Sequence, residues 1–158
     1  MEQYIQPFID VCKNVFKEFI GAELTVGRPY FSSRETVDEW DISAVIGLTG
    51  EARGAVVISM KKDLALKLTD ILAGGGHQDA DEEVVDAIGE IINIIAGNAK
   101  QGLEAAFKLV ISLPTIVQGK EHLIKWPNAQ TRIICIPFTI FGNHVFNLSV
   151  AIQSVRGA

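Results

Sequence analysis

The longest helical pattern in the sequence runs from Asp81 to Phe107. Its apolar residues recur at intervals of three and four, which places them on one face of a helix with about 3.6 residues per turn. The predicted buried face consists of Val84, Val85, Ile88, Ile91, Ile92, Ile95, Ala99, Leu103 and Ala106. The opposite side carries a stripe formed by Asp86, Glu90, Asn93, Gly97, Gln101 and Glu104. The pattern therefore predicts a helix with one buried side and one exposed polar ridge.

Shorter patterns precede this helix, with apolar residues at helical spacing or β-branched residues in short runs. They predict a helix at Tyr4–Ile20, ended by Gly21, and a strand at Glu23–Tyr30. A hairpin of Asp41–Leu48 and Ala52–Met60 follows, with its turn at Thr49-Gly50-Glu51. A second helix is predicted at Lys62–Ala73. Gly74-Gly75-Gly76 then acts as a helix stop. It is not a phosphate-binding loop, because no Gly-Lys-Ser/Thr follows it. Asp79 or Asp81 is the predicted N-cap of the long helix.

Strand patterns follow the long helix. They predict a strand at Lys108–Gln118, a polar connection at Gly119–Gln130 that contains Trp126 and Pro127, and a closing hairpin of Thr131–Phe141 and His144–Gln153 with its turn at Gly142-Asn143. Pro114 inside the first of these strands indicates an edge strand or a bulge, because proline cannot donate to a sheet ladder.

The order helix, strand, hairpin occurs twice along the chain, once on each side of the second helix. We therefore predict an α+β fold in which a pseudo-repeated helix–strand–hairpin unit forms an antiparallel sheet covered on one face by about three helices. The 158 residues, 48% of them hydrophobic, are enough for a single domain over residues 1–158 with its own core.

Charge and targeting signals narrow the class of protein. A net charge of −5 argues against nucleic acid as a partner, because no basic stripe is present to bind phosphates. The N-terminal residues lack the pattern of a signal peptide. No apolar run reaches the ~20 residues that span a membrane. These features predict a cytoplasmic protein.

Neither the cysteines nor the histidines form a recognisable site in the sequence. Cys12 and Cys135 have no metal-binding spacing and are interpreted as reduced core thiols. His77, His122 and His144 are scattered over loop and turn segments, with no pair at a ligand spacing. The sequence therefore predicts no metal site. It also shows no nucleophile arrangement of the Gly-x-Ser-x-Gly or Cys–His kind.

Glu90 and Asn93 are the residues of the stripe with the clearest chemistry. They are three positions apart, so a carboxylate and a carboxamide project side by side from one helix. A carboxylate can meet a lysine, and a carboxamide has the donor and the acceptor needed to orient one water molecule. The same two residue types are also common on solvated helix faces. Spacing alone leaves both interpretations open.

The run Asp86-x-x-x-Glu90-x-x-Asn93-x-x-x-Gly97-Asn98 is similar to the signature helix of the CheC, CheX and FliY phosphatases of bacterial chemotaxis. The single motif and the order of elements resemble the CheX branch. The first predicted helix offers Asn14 at the place of Asn93 but Val11 at the place of Glu90, so a second motif is incomplete.

The resemblance implies an enzyme that hydrolyses the aspartyl phosphate of a CheY-type response regulator. By position, Asn93 would orient the attacking water and Glu90 would pair with the regulator's lysine. It further implies a homodimer, Mg²⁺ held by the regulator and no cofactor on this chain. Of the neighbouring residues, Asp86, Ile94, Gly97 and Gln101 are the expected contacts with the regulator. Asp86 is equally well explained as a solvated helix residue.

Two alternatives remain at this stage. The same repeated fold resembles the middle domain of the flagellar protein FliM, so the chain is alternatively a non-catalytic module that binds a receiver domain or scaffolds a complex. A sensor of a small ligand has no support beyond general apolar content. The Glu90–Asn93 pair favours catalysis, because a scaffold has no chemical need for it.

Overall fold

Helices and strands of this chain are given by a computed structural model, which describes residues 4–32, 40–79, 81–106, 108–119 and 132–155. The helices are α1 (Ile5–Val15), which continues as a π-helix over Phe16–Ile20, α2 (Lys62–Ala73) and α3 (Glu82–Leu103). The strands are β1 (Thr25–Val26), β2 (Tyr30–Phe31), β3 (Ile42–Gly50), β4 (Ala52–Met60), β5 (Leu109–Ile111), β6 (Thr115–Gln118), β7 (Ile134–Ile140) and β8 (His144–Ser154). The predicted α+β class is confirmed.

The first two helices end where glycine was predicted to stop them. Gly21 takes a left-handed conformation with φ of 77°, and its backbone N–H donates to the carbonyl of Phe16. Gly74 has the same φ, and its N–H donates to the carbonyl of Asp70. Residues with a Cβ rarely adopt this conformation, so glycine is the residue that ends a helix in this way.

All pairings in the sheet are antiparallel. The strand order is β1-β7-β8-β4-β3-β5, with β2 also paired to β7 and β6 also paired to β3. Both long hairpins, β3–β4 and β7–β8, occur as predicted. They meet at the centre of the sheet, where β4 pairs with β8.

The edge strands of each half of the chain pair with a long strand of the other half. The short strands of the first half, β1 and β2, pair with β7 of the second half. The short strands of the second half, β5 and β6, pair with β3 of the first half. This arrangement has the approximate two-fold symmetry expected of a repeated unit. It also explains why β2 and β3, which follow each other in the chain, lie in different parts of the sheet, as do β6 and β7.

The prediction of one continuous strand at Glu23–Tyr30 was wrong, because the structure has two short strands there, β1 and β2. Four steps along the chain separate Val26 from Tyr30, whereas three steps separate their partners Phe138 and Cys135. The extra residue forms a bulge around Pro29, which has no N–H to donate to the ladder.

The predicted strand at Lys108–Gln118 is likewise divided into β5 and β6. Ile111 and Thr115 are four steps apart, whereas their partners Leu48 and Val45 are three apart. Pro114 lies in this bulge at the sheet edge, as its position in the sequence predicted. A bulge at a proline thus occurs in the edge strands of both halves.

Helix α3 is shorter than predicted, because it ends at Leu103 and not at Phe107. Ala106, assigned to the buried face, is exposed. The reason is tertiary: Glu51, between β3 and β4, binds the backbone of Lys108 twice. Its N–H donates to the Lys108 carbonyl at 2.9 Å, and its carboxylate accepts from the Lys108 N–H at 2.8 Å. These bonds direct the chain out of the helix and into β5.

The main core lies between the helices and one face of the sheet. At its centre Phe146 of β8 stacks on Phe16 and on Phe138, with ring centroids 4.9 and 5.2 Å apart. Cys12 and Cys135 are free and buried, as predicted. Burial raises the pKa of the Cys12 thiol far above its ordinary value. Predictions for His122, Trp126 and Pro127 fall outside the described residues.

Candidate functional site

Helix α3 begins at a well-formed N-cap. The Asp81 carboxylate accepts a hydrogen bond from the N–H of Val84 at 3.1 Å, and Glu82 and Glu83 follow in the first turn. Negative charges are favourable at this end of a helix, where unpaired N–H groups give a partial positive charge. Asp81 is therefore the cap, whereas Asp79 forms an ion pair with Lys62 at 2.6 Å.

One side of α3 is packed against the other two helices and part of the sheet. The helix contacts α1, α2 and the strands β3 to β6. The residues that it buries are Val84, Ile88, Gly89, Ile91, Ile92, Ile95, Ala96, Ala99 and Leu103. A helix held along its whole length presents the side chains of its free face from a rigid backbone.

The free face is the stripe expected from the sequence. Asp86, Glu90 and Gln101 are exposed, whereas Asn93 and Gly97 are half-buried. The side chains of Glu90 and Asn93 make no hydrogen bond or ion pair with another residue of the described ranges. The carboxylate and the carboxamide are therefore both available to groups brought by another molecule.

The edge strands β5 and β6 pack beside α3. Gly89, one turn earlier on the helix, faces the β5–β6 bulge. A Cβ placed on Gly89 would lie 3.6 Å from the ring of Pro114. Residues four apart lie on nearly the same side of a helix. Asn93 therefore lies one helical turn beyond the part of α3 that faces the bulge.

Gly97 interrupts the ridge one turn after Asn93. A Cβ placed there would meet no atom within 4 Å. Packing inside this chain therefore does not require glycine, although glycine within a helix costs about 1 kcal/mol relative to alanine. The small residue lowers the ridge where a partner would approach.

Ile94 is less available than its place near the stripe indicated. Its side chain is half-buried and packs against the main core, so only part of it is left for a partner. On α1, Asn14 is exposed and Val11 is half-buried against the same core. The first half therefore has the asparagine without a carboxylate three positions before it.

His77 is a charged centre that the sequence analysis missed. Its Nδ1 lies 2.5 Å from the Asp70 carboxylate at the end of α2, and its Nε2 lies 2.9 Å from the Glu83 carboxylate at the start of α3. Hydrogen bonds that the His77 ring donates to Glu83 and Asp70 raise the pKa of His77 to about 9. The pKa of Asp70 is lowered by its hydrogen bonds with His77. The imidazolium thus joins the two helices across the triple-glycine loop.

This cluster could not be found by local motif reasoning. Asp70 and Glu83 are seven residues before and six residues after His77, which is no recognised ligand spacing. Across the described ranges, no group of three or more His, Cys, Asp or Glu side chains is arranged to hold a metal ion. Among the same residues, no helix is both long and apolar enough to cross a membrane.

The fold and the ridge together define a class of protein. A solved CheC-like superfamily protein from Shewanella sp. PV-4 superposes with a TM-score of 0.86 at 27% identity, over 96% of this chain and 97% of that one. A FliM chain from a FliM–SpeE complex of H. pylori shares the fold alone, with 10% identity and a TM-score of 0.64 over 96% of this chain and 88% of that one. The fold is that of the CheC-like proteins.

Within this class, residues 42–139 match the family model described as chemotaxis phosphatase CheX. The curated CheY-P phosphatase CheX of Thermotoga maritima is 31% identical over 87% of this chain and 88% of that protein. A chain from a CheX–CheY–BeF3–Mg²⁺ complex of Borrelia burgdorferi matches with a TM-score of 0.80 and 26% identity, over 96% of this chain and 98% of that one. The chain belongs to the CheX family.

Proposed function

We propose that this protein hydrolyses the aspartyl phosphate of a CheY-type response regulator, with Glu90 and Asn93 as the residues that enter the regulator's active site. Membership of the CheX family and the CheX–CheY complex of a relative support the reaction and the partner. The observation that carries the site is the pair itself: two polar side chains on a rigid helix, with no described hydrogen-bond partner in their own chain.

The chemistry needs only a positioned water. Water oxygen attacks phosphorus in line with the bond to the aspartate oxygen, that bond breaks, and the products are inorganic phosphate and the free carboxylate. Asn93 orients the water through its amide oxygen and nitrogen. Holding reactants in line removes several kcal/mol of the barrier, because they no longer have to meet by chance.

Glu90 contributes binding and orientation. Its carboxylate pairs with a lysine of the receiver, and such charge-assisted bonds are about twice as strong as neutral ones. The Mg²⁺ that neutralises the phosphoryl oxygens is supplied by the receiver. Asp86 and Gln101, both exposed on the same ridge, extend the contact on either side. The homodimer implied by the resemblance stays a prediction, which light scattering in solution tests.

The experiment is the decay of a phosphorylated CheY-type receiver in the presence of Mg²⁺, with and without this protein. Asn93→Ala should remove most of the acceleration while the fold persists, because a substitution at a polar position without internal partners changes stability by about 0.5 kcal/mol or less. Glu90→Ala should weaken binding and activity. Asn14→Ala is the matched control, since Asn14 is the exposed asparagine at the corresponding place on α1.

The outcomes separate catalysis from scaffolding. Loss of acceleration in Asn93→Ala but not in Asn14→Ala supports a phosphatase that acts through the Asn93 amide. Unchanged decay with the wild-type protein, together with measurable receiver binding, would instead support the non-catalytic module.

A further inference from the structure

Leu113 is the most exposed of the large apolar side chains in the described part of the chain, with 85% of its surface accessible. It lies in the bulge between β5 and β6. An apolar side chain exposed to this degree gains nothing from the fold of its own chain. Single exposed apolar side chains are common on protein surfaces. It is the position of Leu113 next to the polar ridge that indicates contact with another molecule.

The backbone on both sides of Leu113 is held in place. The N–H of Ser112 donates to the carbonyl of Gly47 at 2.9 Å, and the hydroxyl of Ser112 accepts from the N–H of Gly47 at 2.8 Å. On the other side Pro114 packs beside α3 at Gly89, where an added Cβ would lie 3.6 Å from the proline ring. Leu113 is therefore presented by a fixed segment, and little ordering entropy is lost when a partner covers it.

The same contact sets the position of Leu113 along α3. Pro114 faces Gly89, which precedes Glu90 directly and Asn93 by four residues. Leu113, the neighbour of Pro114, thus stands beside the helix at the level of the Glu90–Asn93 pair. Leu113 and the polar pair are therefore close enough in the fold for a single partner to cover both.

The two halves of the molecule differ at this place in a consistent way. The bulge of the first half, around Pro29, has Arg28 at the position that Leu113 occupies before Pro114. The adjacent helix α1 there lacks the carboxylate, because Val11 takes its place. The residue before the bulge proline is thus apolar in the half with the complete Glu–Asn pair and charged in the other half, whose exposed apolar residues Tyr30 and Phe31 follow the proline instead.

We propose that Leu113 is an apolar anchor for the phosphorylated receiver, which it contacts at an apolar recess beside the aspartyl phosphate. This inference rests on the proposed function and adds a binding determinant to it. Hydrogen bonds made by the neutral Asn93 amide replace bonds to water and add little net affinity, so binding depends on the Glu90–lysine pair and on apolar contacts. Burial of Leu113 supplies affinity and shields the polar pair from bulk water.

The anchor acts on binding and not on chemistry. Leu113→Ala should therefore weaken the affinity for a receiver by about 5-fold or more, and Leu113→Asp by at least about 10-fold, as for a central residue of an interface. The KM for the phosphorylated receiver should rise by the same factors with kcat unchanged. Asn93→Ala should show the reverse pattern, with kcat lowered and affinity largely kept.

The test measures binding of a CheY-type receiver loaded with beryllofluoride and Mg²⁺, and in parallel the rate of dephosphorylation. Val145→Asp is the matched control. Val145 is 46% exposed and neighbours the core residue Phe146 on β8, so alternation places it on the face of the sheet away from α3. Its substitution should leave both measurements unchanged.

Each outcome distinguishes the anchor from the reaction. Wild-type affinity in both Leu113 variants, with normal acceleration by the wild-type protein, would overturn the anchor and leave the phosphatase intact. Equal weakening in Val145→Asp would overturn it as well, since the effect would then be one of added charge. If the wild-type protein neither bound nor dephosphorylated receivers, both proposals would fall.

Discussion

At the scale of single residues, Glu90 and Asn93 offer hydrogen bonds and a charge but no activated nucleophile. Such a pair is sufficient only where the partner already carries the phosphoryl group, the metal ion and the leaving group. In the proposed function, the substrate is therefore a protein that brings most of the active site with it. Asn93 is half-buried on a helix packed along its other face, which limits the freedom of the amide, as the proposed orientation of a water requires.

His77 gives a residue-scale prediction about pH. The pKa of His77 is raised from 6.5 to about 9, so its charge stabilises the folded state fully below pH 6.5 and the contribution is lost as pH rises through about 9. The pKa of Asp70 is lowered from 3.8, so its contribution is present above that value and is lost on acidification. The difference in free energy of unfolding between wild type and His77→Gln should be largest between these limits.

Urea unfolding of both proteins across this pH range measures the difference. His144→Gln is the control, because His144 has a single carboxylate, Asp63, at 3.9 Å. A difference for His77→Gln that stayed constant from pH 6 to above about pH 9 would show that the bridge between α2 and α3 does not depend on the imidazolium charge.

At the scale of elements, α3 combines a buried face that a stable helix needs with a ridge that its own stability does not need. Gly97 shows the conflict most clearly. Gly97→Ala should stabilise the fold by about 0.5–1 kcal/mol, because alanine is the better helix former and open space surrounds the position. The same substitution should reduce receiver dephosphorylation, because the added methyl group raises the ridge beside Asn93.

Denaturant unfolding tests the predicted gain in stability, and the receiver decay assay tests the predicted loss of activity. Gly102→Ala is the matched control on the same helix. A Cβ at Gly102 would lie 3.7 Å from Pro7 of α1, in ordinary contact and away from the ridge. Full activity in Gly97→Ala would show that the partner does not approach the helix closely at this point.

At the scale of the whole molecule, the exchange of edge strands makes each half depend on the other. In the described part of the chain, β1 and β2 pair with β7 alone, and β5 and β6 pair with β3 alone. Phe16 of the first half stacks on Phe146 of the second. We therefore expect one cooperative unfolding transition, with equal calorimetric and van't Hoff enthalpies. Two separate transitions would show that the halves are independent units.

Helices α1, α2 and α3, both hairpins and the helix-stop role of Gly74 were predictable, because each depends on residues close together in the sequence. The two short edge strands were predicted as continuous, because pattern alone shows apolar alternation and not the extra residue at a bulge. The end of α3 was missed for a similar reason: it depends on Glu51, which is more than fifty residues away from Leu103.

The sequence by itself determined the candidate pair, since Glu90 and Asn93 share a helix face through the helical period alone. It also determined the repeated order of elements, because each element carries its own local pattern. Only the tertiary structure placed the β5–β6 bulge with Leu113 beside that pair and brought His77 between Asp70 and Glu83. These contacts join residues far apart in the chain, and side-chain packing and strand register, rather than local periodicity, decide which of them meet.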